Sequence, residues 1–131
     1  MTEEQAGELS PVLPYQKEYE EFIAQYQSGN PMAAEEIGKI IAKLAQYYGQ
    51  ANTLYGMAKI KYNEIASTIV QTEDNGKPIS VSKADLLIRA TKESQELVKR
   101  EVDLKNIEMQ INALKSLQKG VLNEYSHMSN I

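Results

Sequence analysis

Apolar side chains at Ile37, Ile41, Leu44, Tyr48, Ala51, Tyr55, Ala58, Tyr62, Ile65 and Ile69 recur at alternating spacings of four and three. That spacing holds one narrow stripe in a fixed direction along a helix. A second set on the same lattice follows the Asn75-Gly76 dipeptide: Leu86, Ala90, Leu97, Leu104, Ile107, Ile111, Leu114, Val121 and Tyr125, with Glu93, Arg100 and Gln118 in the remaining slots. Two seams on either side of a turn predict an all-α fold, a long antiparallel helical hairpin of coiled-coil type.

Local signals mark where the elements begin and end. Residues 1–13 are acidic, lack periodicity and run into Pro11 and Pro14, so a disordered leader is expected there. The rest, 14–131, is expected to be a single helical domain. From 14 to 28, Tyr15, Tyr19, Phe22, Ile23 and Tyr26 line one face of a short amphipathic helix. Asn30 and Pro31 suit the N-cap and first position of a second helix over 31–68. The tip, 69–82, places β-branched residues around Asn75-Gly76, the dipeptide that favours a two-residue hairpin turn, so a small β-hairpin fits there. Ser82, three residues before Asp85, resembles a cap and starts a third helix over 83–125. Gly38, Gly49 and Gly56 lower helix propensity inside the second helix, and close packing or a bend is the expected reason.

The third helix carries a second stripe, Ile88, Val98, Val102, Met109 and Ala113, on the side opposite Leu97, Leu104 and Ile111. The second helix widens too, through Ile40, Tyr47 and Leu54. One partner helix cannot cover both faces. The first helix, about 20 Å long, can cover only a fraction of either. Self-association is therefore expected, with Ile88, Val98, Val102 and Met109 at the oligomer interface. Glu93 and Arg100, at successive positions of one seam register, either find partners across an interface or stay hydrated at its edge.

The net charge of −4 is unevenly spread: residues 1–36 hold eight acids against Lys17, and the remainder has a surplus of three bases. In an antiparallel hairpin, Lys39 and Lys43 on the second helix gather with Lys115 and Lys119 on the third. Such a group either meets nucleic-acid phosphates or caps the C-terminal helix dipole. Eight tyrosines could stack on bases, but Tyr48, Tyr55 and Tyr62 occupy seam positions where core packing explains them.

With no cysteine and one histidine, no thiolate metal site or nucleophile–base arrangement can be assembled, and no Gly-rich phosphate loop is present. Glu124 and His127 form half of a bundle-type metal motif, which is incomplete within one chain. No catalytic residue, metal or cofactor is expected. A cytoplasmic protein without a membrane segment is the expectation.

The stretch Leu54–Ala66, a polar tip, the helix from Ser82 with Lys92-Glu-Ser-Gln-Glu-Leu97, and the ending Ile111–Val121 resemble small phage recombination mediators of the UvsY type. The likeness spans roughly residues 51–121 and lies in the order of elements. It implies a non-enzymatic homo-oligomer that binds single-stranded DNA and assists a recombinase against single-strand-binding protein, in the host cell cytoplasm if phage-encoded. It adds Lys59 and Lys61 to Lys115 and Lys119 as phosphate contacts. Helix, β-hairpin, helix also resembles a prefoldin-type chaperone subunit, which keeps a protein-binding scaffold, or a phage inhibitor of a host protein, as the alternative.

Overall fold

The computed structural model describes residues 11–29 and 33–129, the side chains of 125 and 127–129 aside. The expected leader over 1–10 and the Asn30-Pro31 cap lie outside the described residues, as does the His127 side chain. Among the described residues the chain forms four helices and one two-stranded sheet: α1 (Tyr15–Gln27), α2 (Ala34–Val70), β1 (Glu73–Asp74), β2 (Lys77–Pro78), α3 (Val81–Arg89) and α4 (Lys92–Ser129). The long helices α2 and α4 pack against each other, as the seams predict. Their antiparallel sense is visible where Gln118 Nε2, late in α4, donates to the Ala34 carbonyl at the start of α2 across 2.9 Å.

Each boundary has a local cause. The α1 helix ends as Ser28 N–H donates back to the Ala24 carbonyl and Gly29 turns to a φ of +87°. At the start of α2, Glu35 and Glu36 sit in the first turn, where the dipole favours anions. At the tip, Asn75 and Gly76 both adopt positive φ, 56° and 79°, as a two-residue hairpin turn requires. Asp74 pairs with Lys77 and Glu73 with Pro78.

The expected third helix is two helices. Thr91 Oγ1 donates to the Ile88 carbonyl at 2.6 Å and accepts from Ser94 N–H at 3.1 Å. One side chain thus closes α3 and caps α4. The first of these helices also starts earlier than expected: Ser80, not Ser82, is its cap, accepting from Lys83 N–H at 3.2 Å. The interruption changes which residues face inward. Leu86 and Ala90, assigned to the seam, are exposed, whereas Ala84 and Ile88 are buried.

The chain divides into two compact units, Met1–Gln50 with Leu104–Ile131, and Ala51–Asp103. In the first, Tyr15, Phe22, Ile37, Leu44, Ile107 and Leu114 are buried. Each large aliphatic side chain fully withdrawn from water contributes about 1.5–3 kcal/mol. In the second, the buried residues are Ala51, Ala58, Ala84, Ile88, Leu97 and Arg100. Of the three helix glycines, Gly38 fits the expected close packing, since a Cβ there would lie 3.1 Å from Gln118 Nε2. At Gly49 and Gly56 nothing lies within 4 Å, so close packing does not account for them.

Candidate interaction surfaces

The six lysines are divided between the two units. Lys39, Lys43, Lys115 and Lys119 belong to the first unit, Lys59 and Lys61 to the second, and all are exposed. Lys43 Nζ is engaged by Glu18 Oε1 at 2.6 Å, and Lys59 Nζ sits 5.6 Å from the centre of the Tyr62 ring. The first unit as a whole holds ten acids against six bases, and the second holds eight of each. Neither unit carries a net positive charge.

The apolar residues tell a different story. Of the four expected at an oligomer interface, Ile88 is only 7% exposed and belongs to the core of its own unit. That assignment is corrected, and the cause is the α3–α4 break, which turns Ile88 inward in place of Leu86. Val98, Val102 and Met109 do face solvent along α4, Met109 at 68% exposure. Of these, Val98 and Val102 lie in the second unit, which also exposes Met57 and Ile60 of α2 and Leu86 and Leu87 of α3. Sequence periodicity missed Met57 and Ile60 because they fall between seam positions. The Leu86-Leu87-Ile88 run held a usable signal, since a helix cannot turn three consecutive side chains to one side.

This second unit is inverted in composition relative to an ordinary core. It buries three alanines and an arginine beside only two large aliphatic side chains, Ile88 and Leu97, and exposes eight large hydrophobic side chains. Arg100 is wholly buried: its Nε donates to Glu96 Oε1 at 2.9 Å and its Nη1 to Asp103 Oδ2 at 3.2 Å. Both carboxylates stand on Arg100's own helix, one turn before and one turn after it, so these partners do not come from across an interface.

Family models, curated proteins and solved structures yield no match to this chain. The site must therefore be read from its own chemistry. Among the described residues no group of three acidic, His or Cys side chains could hold a metal, and no helix is long and apolar enough to cross a membrane.

A second surface lies within the first unit, where α1 docks. Tyr15 and Phe22, seven residues apart, are its buried anchors. Around them, Asn106 Nδ2 donates to the Tyr15 hydroxyl at 3.4 Å, Gln110 Nε2 to Gln16 Oε1 at 2.6 Å, and Lys43 pairs with Glu18. The hydrogen bond from Lys43 holds the Glu18 carboxyl below its ordinary value, helped by the Tyr47 hydroxyl and opposed by desolvation. Glu18 in turn raises Lys43, while Tyr47 is raised first by burial and then by Glu18. Gln110 is buried although polar, and periodicity alone gave no warning of it.

Proposed function

We propose that this chain is a non-enzymatic helical interaction protein that assembles with copies of itself and works as a protein-binding scaffold. The observation that carries this reading is the inverted second unit. A 53-residue unit whose core holds only Ile88 and Leu97 among large aliphatic side chains, beside three alanines, is small in buried apolar area, and its exposed Met57, Ile60, Leu86, Leu87, Val98 and Val102 offer more of it outside than inside. A second copy is the occupant that the charge favours. With eight acids and eight bases in this unit, two copies can approach without net repulsion, whereas the first unit carries −4.

Light scattering across a dilution series tests this directly. The native chain is expected to give a multiple of its 14.7 kDa mass, and the Leu86→Asp, Val102→Asp double variant is expected to be a folded monomer. A native monomer at tens of micromolar would sink the reading.

A second reading, assistance to single-stranded DNA recombination or replication in the manner of the phage mediators, draws on exposed Lys39, Lys115 and Lys119 in the first unit. It predicts salt-sensitive binding to fluorescent single-stranded DNA that Lys115→Glu with Lys119→Glu removes. Binding absent at low salt, or indifferent to those changes, excludes it.

A further inference from the structure

We infer that α1 is an exchangeable element: it leaves its cradle on α2 and α4 and docks on the same cradle of a second copy, tying the copies together. This rests on the self-association proposed above and adds the element that would make the assembly reciprocal. Three observations support it.

First, α1 is weakly held. It is a 13-residue helix, shorter than isolated helices usually need to be to persist in water, so its structure depends on docking. Docking buries two aromatic anchors, Tyr15 and Phe22, and leaves Tyr19 and Ile23 half-buried. A buried side-chain oxygen that lacks a hydrogen-bond partner among the described residues, Gln110 Oε1, lies at this contact. An unsatisfied buried oxygen opposes the burial that creates it.

Second, the cradle specifies its occupant. Asn106, Gln110 and Lys43 present polar atoms that meet Tyr15, Gln16 and Glu18 one for one. A fitting helix needs aromatic rings seven residues apart, a glutamine beside the first and an acid two residues after that glutamine. The α1 segment of another copy supplies that pattern in full.

Third, the exit from α1 is open. Gly29 turns the chain at positive φ, and a Cβ there would meet nothing within 4 Å. When the same contacts serve in cis and in trans, exchange between protomers is a low-cost route to association.

The chain has no cysteine, so introduced thiols report unambiguously. Full-length Gln16→Cys and Gln110→Cys chains are mixed, refolded together and treated with a short thiol-specific bifunctional cross-linker. Exchange predicts a covalent heterodimer on a denaturing gel, and little from Gln27→Cys mixed with Gln110→Cys, because Gln27 is exposed at the far end of α1. The doubly substituted chain, Gln16→Cys with Gln110→Cys, should likewise give covalent dimers. Cross-linking confined to monomers of the double variant, with no heterodimer from the mixture, overturns the inference. So does a heterodimer that forms equally well with Gln27→Cys, which reports proximity without docking. Light scattering on the same samples separates the two proposals: dimers without the trans cross-link refute exchange alone, whereas monomers refute the self-association on which it rests.

Discussion

At the scale of single residues, Arg100 shows how one side chain can be costly and still useful. It is fully buried, with Glu96 and Asp103 as partners on the same helix. Removing one member of such a group takes a close counter-charge from the others. Arg100→Ala should lower the urea unfolding free energy by about 3 kcal/mol. Arg100→Met should cost no more than about 1 kcal/mol, but broaden the distribution of oligomers seen by light scattering, because buried polar groups at seam positions specify register. Equal losses from the two substitutions would contradict this. Glu18 links a residue to pH. Its folded-state carboxyl is lowered, so it stabilises α1 docking above the ordinary value of 4.5, and that contribution is lost as pH falls through the lowered one. The Lys43 ammonium is raised, so its contribution is present below 10.5 and disappears as pH climbs through its higher folded value. Docking should hold between these limits and weaken outside them. Glu18→Gln should flatten the acid limb followed by amide exchange in α1. The presence of Arg100 in a seam slot was legible in the sequence. That Glu96 and Asp103 would bind it was not, because helical spacing permits several partners and burial selects among them.

At the scale of elements, the long seams were legible over most of their length. Ile37, Leu44, Ala51 and Ala58 are buried at heptad spacing, as are Arg100, Ile107 and Leu114. The tip was equally legible, since Asn75-Gly76 has few conformations besides the left-handed pair it adopts. Gly76→Ala should cost about 1–2 kcal/mol locally, because a Cβ is strained at that φ even with open space around it. Faster exchange of the Ile79 amide, which donates to the Thr72 carbonyl, is the expected sign. The break between α3 and α4 escaped the pattern. Ala90-Thr91 contains neither Gly nor Pro, and Thr is tolerated inside helices, so its capping role emerges only once its hydroxyl chooses the Ile88 carbonyl and the Ser94 amide. Thr91→Ala should destabilise the chain by about 1 kcal/mol in thermal or urea unfolding. No change would mean that the two helices are separated by something other than this cap.

At the scale of the whole molecule, the proposed self-association depends on which apolar residues remain outside after folding. Val98, Val102 and Met109 remain outside, as the opposite stripe of the third helix led one to expect, and Ile88 does not. Single substitutions Val102→Asp and Ile88→Asp should therefore part company: the first shifts the chain toward monomer with little loss of fold, and the second unfolds the second unit. Light scattering alongside circular dichroism distinguishes them, and identical behaviour would place both residues in the same environment. By itself the sequence determined the helical class, the two long seams, the hairpin turn and the presence of more apolar surface than one seam can hide. Those follow from periodicity and from the few conformations open to Asn-Gly, which are local properties. Only the tertiary structure decided that α3 and α4 part at Thr91, that Ile88 turns inward in place of Leu86, that the lysines are divided between two units, and that α1 docks through Gln16 and Glu18. Each of these depends on competition among distant groups for burial and for hydrogen bonds, and spacing along the chain does not encode its outcome.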